Sequence, residues 1–294
     1  MFTLPSIADE YKKDGVPCVR IENCGNFSVH KTFDCGQAFR FDPDGDDDTF
    51  TGTAFGKKIT FSSLGGGEVE LRGSTAEEYN TTWQRYLSLD SDYDEADRVI
   101  IESMPNERDR AEMSAAVDSG RGIRILRQDP FETLISFIIS QNNNIPRIKK
   151  IISALCERYG ENGAFPTADA LVEAGEEGIF ALKTGFRAGY IYDAAVKVKT
   201  GEVVLDDIAK CEDYEKCTDM LCSIKGVGPK VSSCVLLFGF GKTEAFPIDV
   251  WMKRSLALHF PDGFDPKPLG KYAGIAQQYM FYHERWINSE STKK

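Results

Sequence analysis

No stretch of this sequence is apolar for long enough to cross a membrane as a helix. The best run, Cys234 to Phe240, is interrupted by a glycine, where about 18–20 apolar residues are needed. The N-terminus, Met1 to Lys13, lacks a basic region followed by an apolar stretch, so no secretory signal is expected. No repeat and no low-complexity linker is present. None of the eight cysteines (Cys18, Cys24, Cys35, Cys156, Cys211, Cys217, Cys222 and Cys234) stands in a Cys-x-x-Cys pair, and none lies beyond Cys234. A chain of 294 residues needs no disulfide staples, so reduced thiols in an intracellular protein are expected. With 41% hydrophobic and 28% charged residues, a packed soluble protein follows rather than a disordered one.

Positive charge is also short, and a net of −11 argues at first against a polyanionic partner. The deficit is local. Residues 1–110 carry 22 acidic and 12 basic side chains, residues 111–294 carry 24 and 23, and residues 121–160 carry 3 acidic against 7 basic. A polyanion feels the local patch and not the sum, so DNA is not excluded.

The first part of the chain reads as strands. Val16–Ile21, Phe27–Phe33, Phe39–Phe41, Phe50–Phe55, Lys58–Phe61 and Val69–Leu71 are short runs of β-branched and aromatic residues, separated by turn formers at Asp42-Pro43-Asp44-Gly45 and Gly65-Gly66-Gly67. Hairpin connections predict an antiparallel sheet. Ser74 is the expected cap of a helix reaching about Leu87. From about Ser91 the period becomes helical: Phe131, Leu134, Ile135 and Ile138 share a face, as do Ile148, Ile151, Ile152 and Leu155. Thr167 caps a further helix, and 188–199, 214–221, 229–238 and 250–259 read as helices. The expected fold is α+β: an N-terminal antiparallel-sheet domain with flanking helices over 1–112, then an all-α region over 113–294.

The segment from Met220 to Val231 is the most informative. A helix ends near Cys222, Gly226 and Gly228 allow a tight turn and close approach of a backbone, and Pro229 suits the first position of a new helix. Ile224, Val227 and Val231 would hold the turn in the core. Free amides at a helix start bind phosphate, so this helix-hairpin-helix (about 212–240) fits a grip on a DNA backbone without sequence reading; it also fits a plain connection between two packed helices. Lys230 lies in the first turn of the second helix. The positive end of the helix dipole disfavours its ammonium form, which favours a nucleophilic amine, although most lysines in such places contact phosphate or solvent. Asp249, in Phe246-Pro247-Ile248-Asp249-Val250-Trp251, precedes a helical pattern. It reads as an N-cap, and also as a carboxylate able to stabilise positive charge on a sugar whose glycosidic bond is breaking.

A lysine in the hairpin followed by Pro-Ile-Asp249 resembles the helix-hairpin-helix DNA glycosylases, which excise damaged bases. The endonuclease III and adenine-glycosylase branches bind a four-cysteine iron–sulfur cluster beyond the aspartate, and the absence of cysteine there excludes it. Arg127-Gln128-Asp129-Pro130-Phe131-Glu132, Ser140-Gln141-Asn142-Asn143-Asn144-Ile145-Pro146-Arg147 and Cys35-Gly36-Gln37-Ala38-Phe39-Arg40 resemble the 8-oxoguanine DNA glycosylase family. The matches run in order from residue 35 to about 281.

That resemblance implies a role for each matching residue. Lys230 would attack the anomeric carbon and form a Schiff base, with strand cleavage by β-elimination; Asp249 would support the transition state. Gly36 would offer its carbonyl to the imidazole-ring proton that oxidation adds and guanine lacks. Cys234 and Phe281 would sandwich the flipped base and Gln277 would bond its edge. Asn142 would fill the hole in the duplex, Arg147 and Arg187 would contact the orphaned cytosine, and Phe186 would wedge beside it. Gly226, Val227 and Gly228 would meet the DNA backbone, with a monovalent cation on the hairpin carbonyls near Val227; no organic cofactor and no other metal is implied. The expected partner is double-stranded DNA containing 8-oxoguanine, met by a monomer, with no membrane. Three departures stand out: Phe186, where eukaryotic members usually carry tyrosine, Trp251, where they carry histidine, and Phe238, often methionine. A same-fold glycosylase for another damaged base and a non-catalytic lesion-binding protein remain as alternatives, the second disfavoured because a binder needs neither Lys230 nor Asp249.

Overall fold

Period-two alternation builds the first layer. The computed structural model describes residues 2–291, so Met1 and residues 292–294, the outer ends of the two expected regions, lie outside the described residues. Strands β1 (Ser6–Lys13), β2 (Val16–Glu22), β3 (Phe41–Asp44), β4 (Asp46–Ala54), β5 (Lys57–Gly65) and β6 (Glu68–Arg72) form one sheet in the spatial order β1-β2-β6-β5-β4-β3. Every pairing is antiparallel. The register sets Phe50 opposite Phe61, Phe61 opposite Leu71 and Leu71 opposite Val19, so one apolar row crosses four strands, each of these side chains at most 1% exposed.

Two expectations fail here for local reasons. Residues 27–33 are not a strand. Ser28 accepts a hydrogen bond from the Lys31 amide at 3.2 Å and starts helix α1 (Val29–Phe33). Phe27, Val29 and Phe33 satisfy both a two-residue and a four-residue spacing, and the cap decides between them. The Phe33 ring stacks on Phe61 at 5.1 Å and plugs the sheet. The run at 39–41 contributes only Phe41 to a strand, and the Asp42–Asp44 part of the expected turn is itself extended in β3, with the reversal at Gly45 (φ +90°). Strand β1 has no apolar alternation and gave no signal in the sequence; it is an exposed edge with a bulge between Ile7 and Asp9.

The cap after the sheet is Thr75 rather than Ser74. Thr75 and Glu78 exchange reciprocal side-chain-to-backbone bonds, the capping box, and start α2 (Ala76–Glu78), which continues through a wide turn to Tyr86. Helices α3 (Tyr93–Glu102) and α4 (Glu107–Gly120) follow, then α5 (Pro130–Ser140), α6 (Ile145–Tyr159), α7 (Ala168–Ile179, capped by Thr167), α8 (Ala188–Thr200), α9 (Leu205–Lys210), α10 (Tyr214–Cys222), α11 (Pro229–Phe240), α12 (Val250–His259) and α13 (Ala273–Ser291). Helix α5 buries Leu134, Ile135 and Ile138 completely and packs against α11. Among the described residues no helix is long and apolar enough to cross a membrane.

The described residues form two hydrophobic cores. Cys35, Phe39 and helices α3 and α4 pack into the helical core, while Leu126 packs under the sheet. The strand region and the helical region are thereby stitched together at residues 32–40. Arg40 contributes to this seam. Its guanidinium meets the Glu132 carboxylate at 3.1 Å and donates to the Gly163 carbonyl. Burial pushes the Glu132 carboxyl up to about 7, against the lowering pull of Arg40. The folded value lies above an unfolded value of 4.5, so the folded chain holds the extra proton between them and stability falls as pH rises through that window. Glu132→Gln keeps an acceptor for Arg40 and removes this slope. Urea unfolding of both proteins from pH 5 to pH 8 is expected to shift their difference toward the variant by about 2 kcal/mol; a flat difference would mean that Glu132 ionises normally.

Candidate active site

The hairpin between α10 and α11 is set by two short backbone bonds, Ile224 N–H to the Leu221 carbonyl (3.1 Å) and Val227 N–H to the Ile224 carbonyl (3.0 Å). Ile224, Val227 and Val231 are buried, as their apolar character predicts. Gly226 is required twice: its φ is +80°, and a Cβ there would stand 2.2 Å from the Tyr190 ring. Gly228 has ordinary extended backbone, and a Cβ would meet nothing within 4 Å. Gly226→Ala is therefore expected to cost about 2–4 kcal/mol and Gly228→Ala less than about 1 kcal/mol, read as urea midpoints; equal losses would refute the steric account.

Gly228 N-caps α11 with no side-chain bond, and Pro229 takes its first position. Lys230 and Val231, whose amides a helix start leaves without intrahelical partners, line a cleft of about 1000 Å³. Lys230 is half-buried, its Nζ 5.5 Å from the centre of the Phe137 ring. Cys234, one turn on, is 3% exposed. Burial pushes its thiol up, while a hydrogen bond and the charge of Lys230 pull it down and the charge of Asp249 pushes it up. Lys230 and Asp249 both line that cleft, and the Cys234 thiol feels the charge of each. Asp249 is half-buried and caps α12, its Oδ1 accepting from the Met252 amide at 2.7 Å. The cap reading is observed, and Asp249 lines the same cleft.

The cleft's far wall is the turn between α5 and α6. Asn142 is exposed with φ +53°, a conformation asparagine tolerates. Arg147 is exposed and donates to the Lys183 carbonyl at 3.5 Å. Phe186 is 57% exposed and meets Tyr190 edge-on. Arg187 differs from its neighbours. It is 3% exposed, and its guanidinium donates to the carbonyls of Gln141, Asn142 and Thr184. In this structure it holds the Asn142 turn rather than facing the cleft. Trp251 and Lys253, exposed on the first turn of α12, complete the lining.

A second group gathers beside Phe281. Gly36 has φ +82°, and a Cβ built on it would sit 3.7 Å from Ile145 and 3.8 Å from the Phe281 ring. Those are ordinary contacts, so conformation, more than crowding, calls for glycine here. Gln277 is 6% exposed and its Oε1 is buried with no hydrogen-bond partner among the described residues. A smaller apolar cavity of about 230 Å³ lies between Phe281, Trp251, Met252 and Ser255, with Glu284 and Arg285 at its edge. Sequence reasoning missed Lys253 and Tyr190, and the glutamines that fix the Gly36 loop. An exposed lysine and a buried amide carry no pattern of their own.

Comparison with known proteins agrees with this geometry. Residues 21–134 match the 8-oxoguanine DNA glycosylase N-terminal domain, and residues 135–268 match the HhH-GPD superfamily of base excision DNA repair proteins. The 8-oxoguanine glycosylase/lyase of Clostridium acetobutylicum, solved with double-stranded DNA containing cytosine opposite 8-oxoG, is 35% identical with a TM-score of 0.85, covering 96% of this chain and 99% of that one. A probable N-glycosylase/DNA lyase of Methanothermobacter thermautotrophicus is 32% identical over 59% of this chain and 67% of its own length. The N-glycosylase/DNA lyase of Saccharomyces cerevisiae is 39% identical over 46% of this chain, a match that spans 41% of the yeast protein.

Proposed function

Because this chain belongs to the 8-oxoguanine DNA glycosylase family, we propose that it is a bifunctional DNA glycosylase and lyase of base excision repair, acting on duplex DNA that contains 8-oxoguanine. What supports this reading most is that Lys230, at the start of one helix, and Asp249, at the start of the next, line the same large cleft. A glycosylase that only hydrolyses has no use for a half-buried lysine in the same cleft as the carboxylate.

In the proposed reaction the hairpin amides and the exposed basic side chains of the cleft hold the phosphate backbone, and the damaged nucleotide leaves the stack. Asn142 fills the gap, and Arg147, Arg187 and Phe186 attend the opposite cytosine, Arg187 after exchanging at least one of its carbonyl partners. The base enters beside Phe281 and Cys234, where the Gln277 acceptor is satisfied and the Gly36 carbonyl accepts a hydrogen bond from the lesion's extra ring N–H. The neutral Lys230 amine attacks the anomeric carbon as the glycosidic bond breaks and its electron pair leaves with the base. Asp249 stabilises the positive charge that develops on the sugar. The amine then loses a proton, the sugar ring opens to a Schiff base, and β-elimination breaks the bond to the 3′ phosphate oxygen. The Val227 carbonyl accepts no backbone hydrogen bond among the described residues, which suits a monovalent cation bridging the hairpin to a phosphate. The protein acts on DNA, hence inside the cell, and a single chain supplies every residue of the site.

The test is incubation with borohydride and a duplex carrying one 8-oxoguanine opposite cytosine, beside an undamaged duplex. A covalent adduct on the damaged strand alone is expected. An adduct-free protein that still binds the lesion would sink the covalent reading, and adducts with an alkylated base alone would reassign the substrate.

A further inference from the structure

The loop that carries Gly36 is held by amide side chains on either side of it. The Gln278 Nε2 donates to the Cys35 carbonyl at 2.9 Å, and the Gln128 Nε2 donates to the Gln37 carbonyl at 2.8 Å. Between them, the Gly36 carbonyl has no hydrogen bond among the described residues. The Gln37 side chain fixes the following α-carbon through four bonds. It donates to the Thr32 and Arg124 carbonyls and the Cys35 sulfur, and accepts from the Leu126 amide. One peptide plane, with one uncommitted acceptor, is thus suspended between two that are clamped.

Such clamping matters because glycine resists turning less than any other residue. At φ +82° it has neighbouring conformations of similar energy, and its peptide planes can rotate at little cost. A carbonyl that must tell a ring N–H from a ring lone pair has to be held in direction, since hydrogen-bond strength falls steeply with angle. Gln278 is well placed to impose that. It is 3% exposed, so its amide is not shared with water, and it sits on α13 next to Gln277 and one turn before Phe281. The same helix therefore carries two walls of the base slot and the donor that orients the loop opposite them.

We propose that Gln278 is a positioning residue for lesion discrimination: its amide, committed to the Cys35 carbonyl, holds the Gly36 carbonyl free and aimed for the proton that distinguishes an oxidised purine from guanine. Gln128 holds the same plane from the other side. Gln278 touches neither base nor sugar and works through the loop. The inference rests on the function proposed above, and its consequence is a split between two steps of one enzyme. Base excision needs the oriented carbonyl, whereas β-elimination at an abasic site involves no base.

The experiment compares the full-length parent with Gln278→Met, which has the same length and no donor, and with Gln128→Met, at a half-buried position. Each is given three duplexes: 8-oxoguanine opposite cytosine, guanine opposite cytosine, and a preformed abasic site. Single-turnover excision of 8-oxoguanine is expected to fall about tenfold in both variants, the loss of one buried hydrogen bond. Strand cleavage at the abasic site stays within about twofold of the parent. Excision and abasic cleavage falling together would make Gln278 a packing residue and overturn the proposal, as would excision that does not fall. A parent that releases no 8-oxoguanine while cleaving abasic sites would overturn the functional reading itself, and this inference with it, before any variant is compared.

Discussion

Lys230→Gln is expected to abolish the borohydride adduct and to slow base release by at least about a thousandfold, with lesion binding retained. Glutamine is close to lysine in length and reaches the same space over the Phe137 ring and beside Cys234. It brings no charge into a half-buried site, so folding should survive; thermal midpoints within about 2 °C of the parent would show this. The chemistry cannot survive, because an amide nitrogen is not a nucleophile and cannot form a Schiff base. The loss must extend to the preformed abasic site, where the aldehyde is already present and only the amine is missing. That separates Lys230 from Gln278, whose replacement should spare abasic cleavage. Excision retained by Lys230→Gln would remove Lys230 as the nucleophile and leave it a phosphate contact, the more common role for a lysine at a helix start.

The charge pattern bears on how the DNA is held. The excess of acid lies before residue 110, and much of it decorates the outside of the sheet and its hairpins, as at Asp42, Asp44 and Asp46. The cleft draws its lining from residue 140 onward and, among the described residues, combines Arg147, Lys230 and Lys253 with Asp249 alone among acids. A negative protein with a positive cleft repels DNA everywhere except where it must bind. Raising salt should therefore weaken specific binding through a few phosphate contacts, not many.

What the sequence made legible follows from how local each signal is. The boundaries of α8, α10, α11 and α12 fall within two residues of expectation, because Pro229, Asp249 and their neighbours are terminal signals in themselves. Residues 27–33 went wrong because seven residues with apolar positions at 27, 29 and 33 fit either period, and only the Ser28 cap and the sheet beneath resolve it. That Lys230 and Asp249 would line one cleft was inferable from motif alone, whereas the Arg187 bonds to the Asn142 turn and the Gln278 bond to Cys35 were not. Those contacts join residues 45 and 243 positions apart, and no local pattern encodes a partner at that distance.

The proposed function gives the cap residue Asp249 a second job in the same side chain, and two substitutions separate them. Asparagine caps a helix as well as aspartate does, so Asp249→Asn should keep the bond to the Met252 amide and melt with the parent. It removes only the charge proposed to act on the sugar, and excision of 8-oxoguanine is expected to fall by about a hundredfold to a thousandfold, as when a preorganised electrostatic partner is lost. Asp249→Ala loses the charge and the cap together. The same drop in excision should then be accompanied by about 1 kcal/mol of destabilisation, which lowers the thermal midpoint of a chain this size by about 2 °C. Because Trp251 and Lys253 ride on the first turn of α12, uncapping should also loosen DNA binding, a defect absent from the asparagine variant. Adduct formation on a preformed abasic site should persist in Asp249→Asn, since no glycosidic bond remains to be broken and the Lys230 amine is intact. Excision at the parental rate by Asp249→Asn would show that the carboxylate is a cap and nothing more, and the charge that stabilises the breaking bond would have to be sought elsewhere in the cleft.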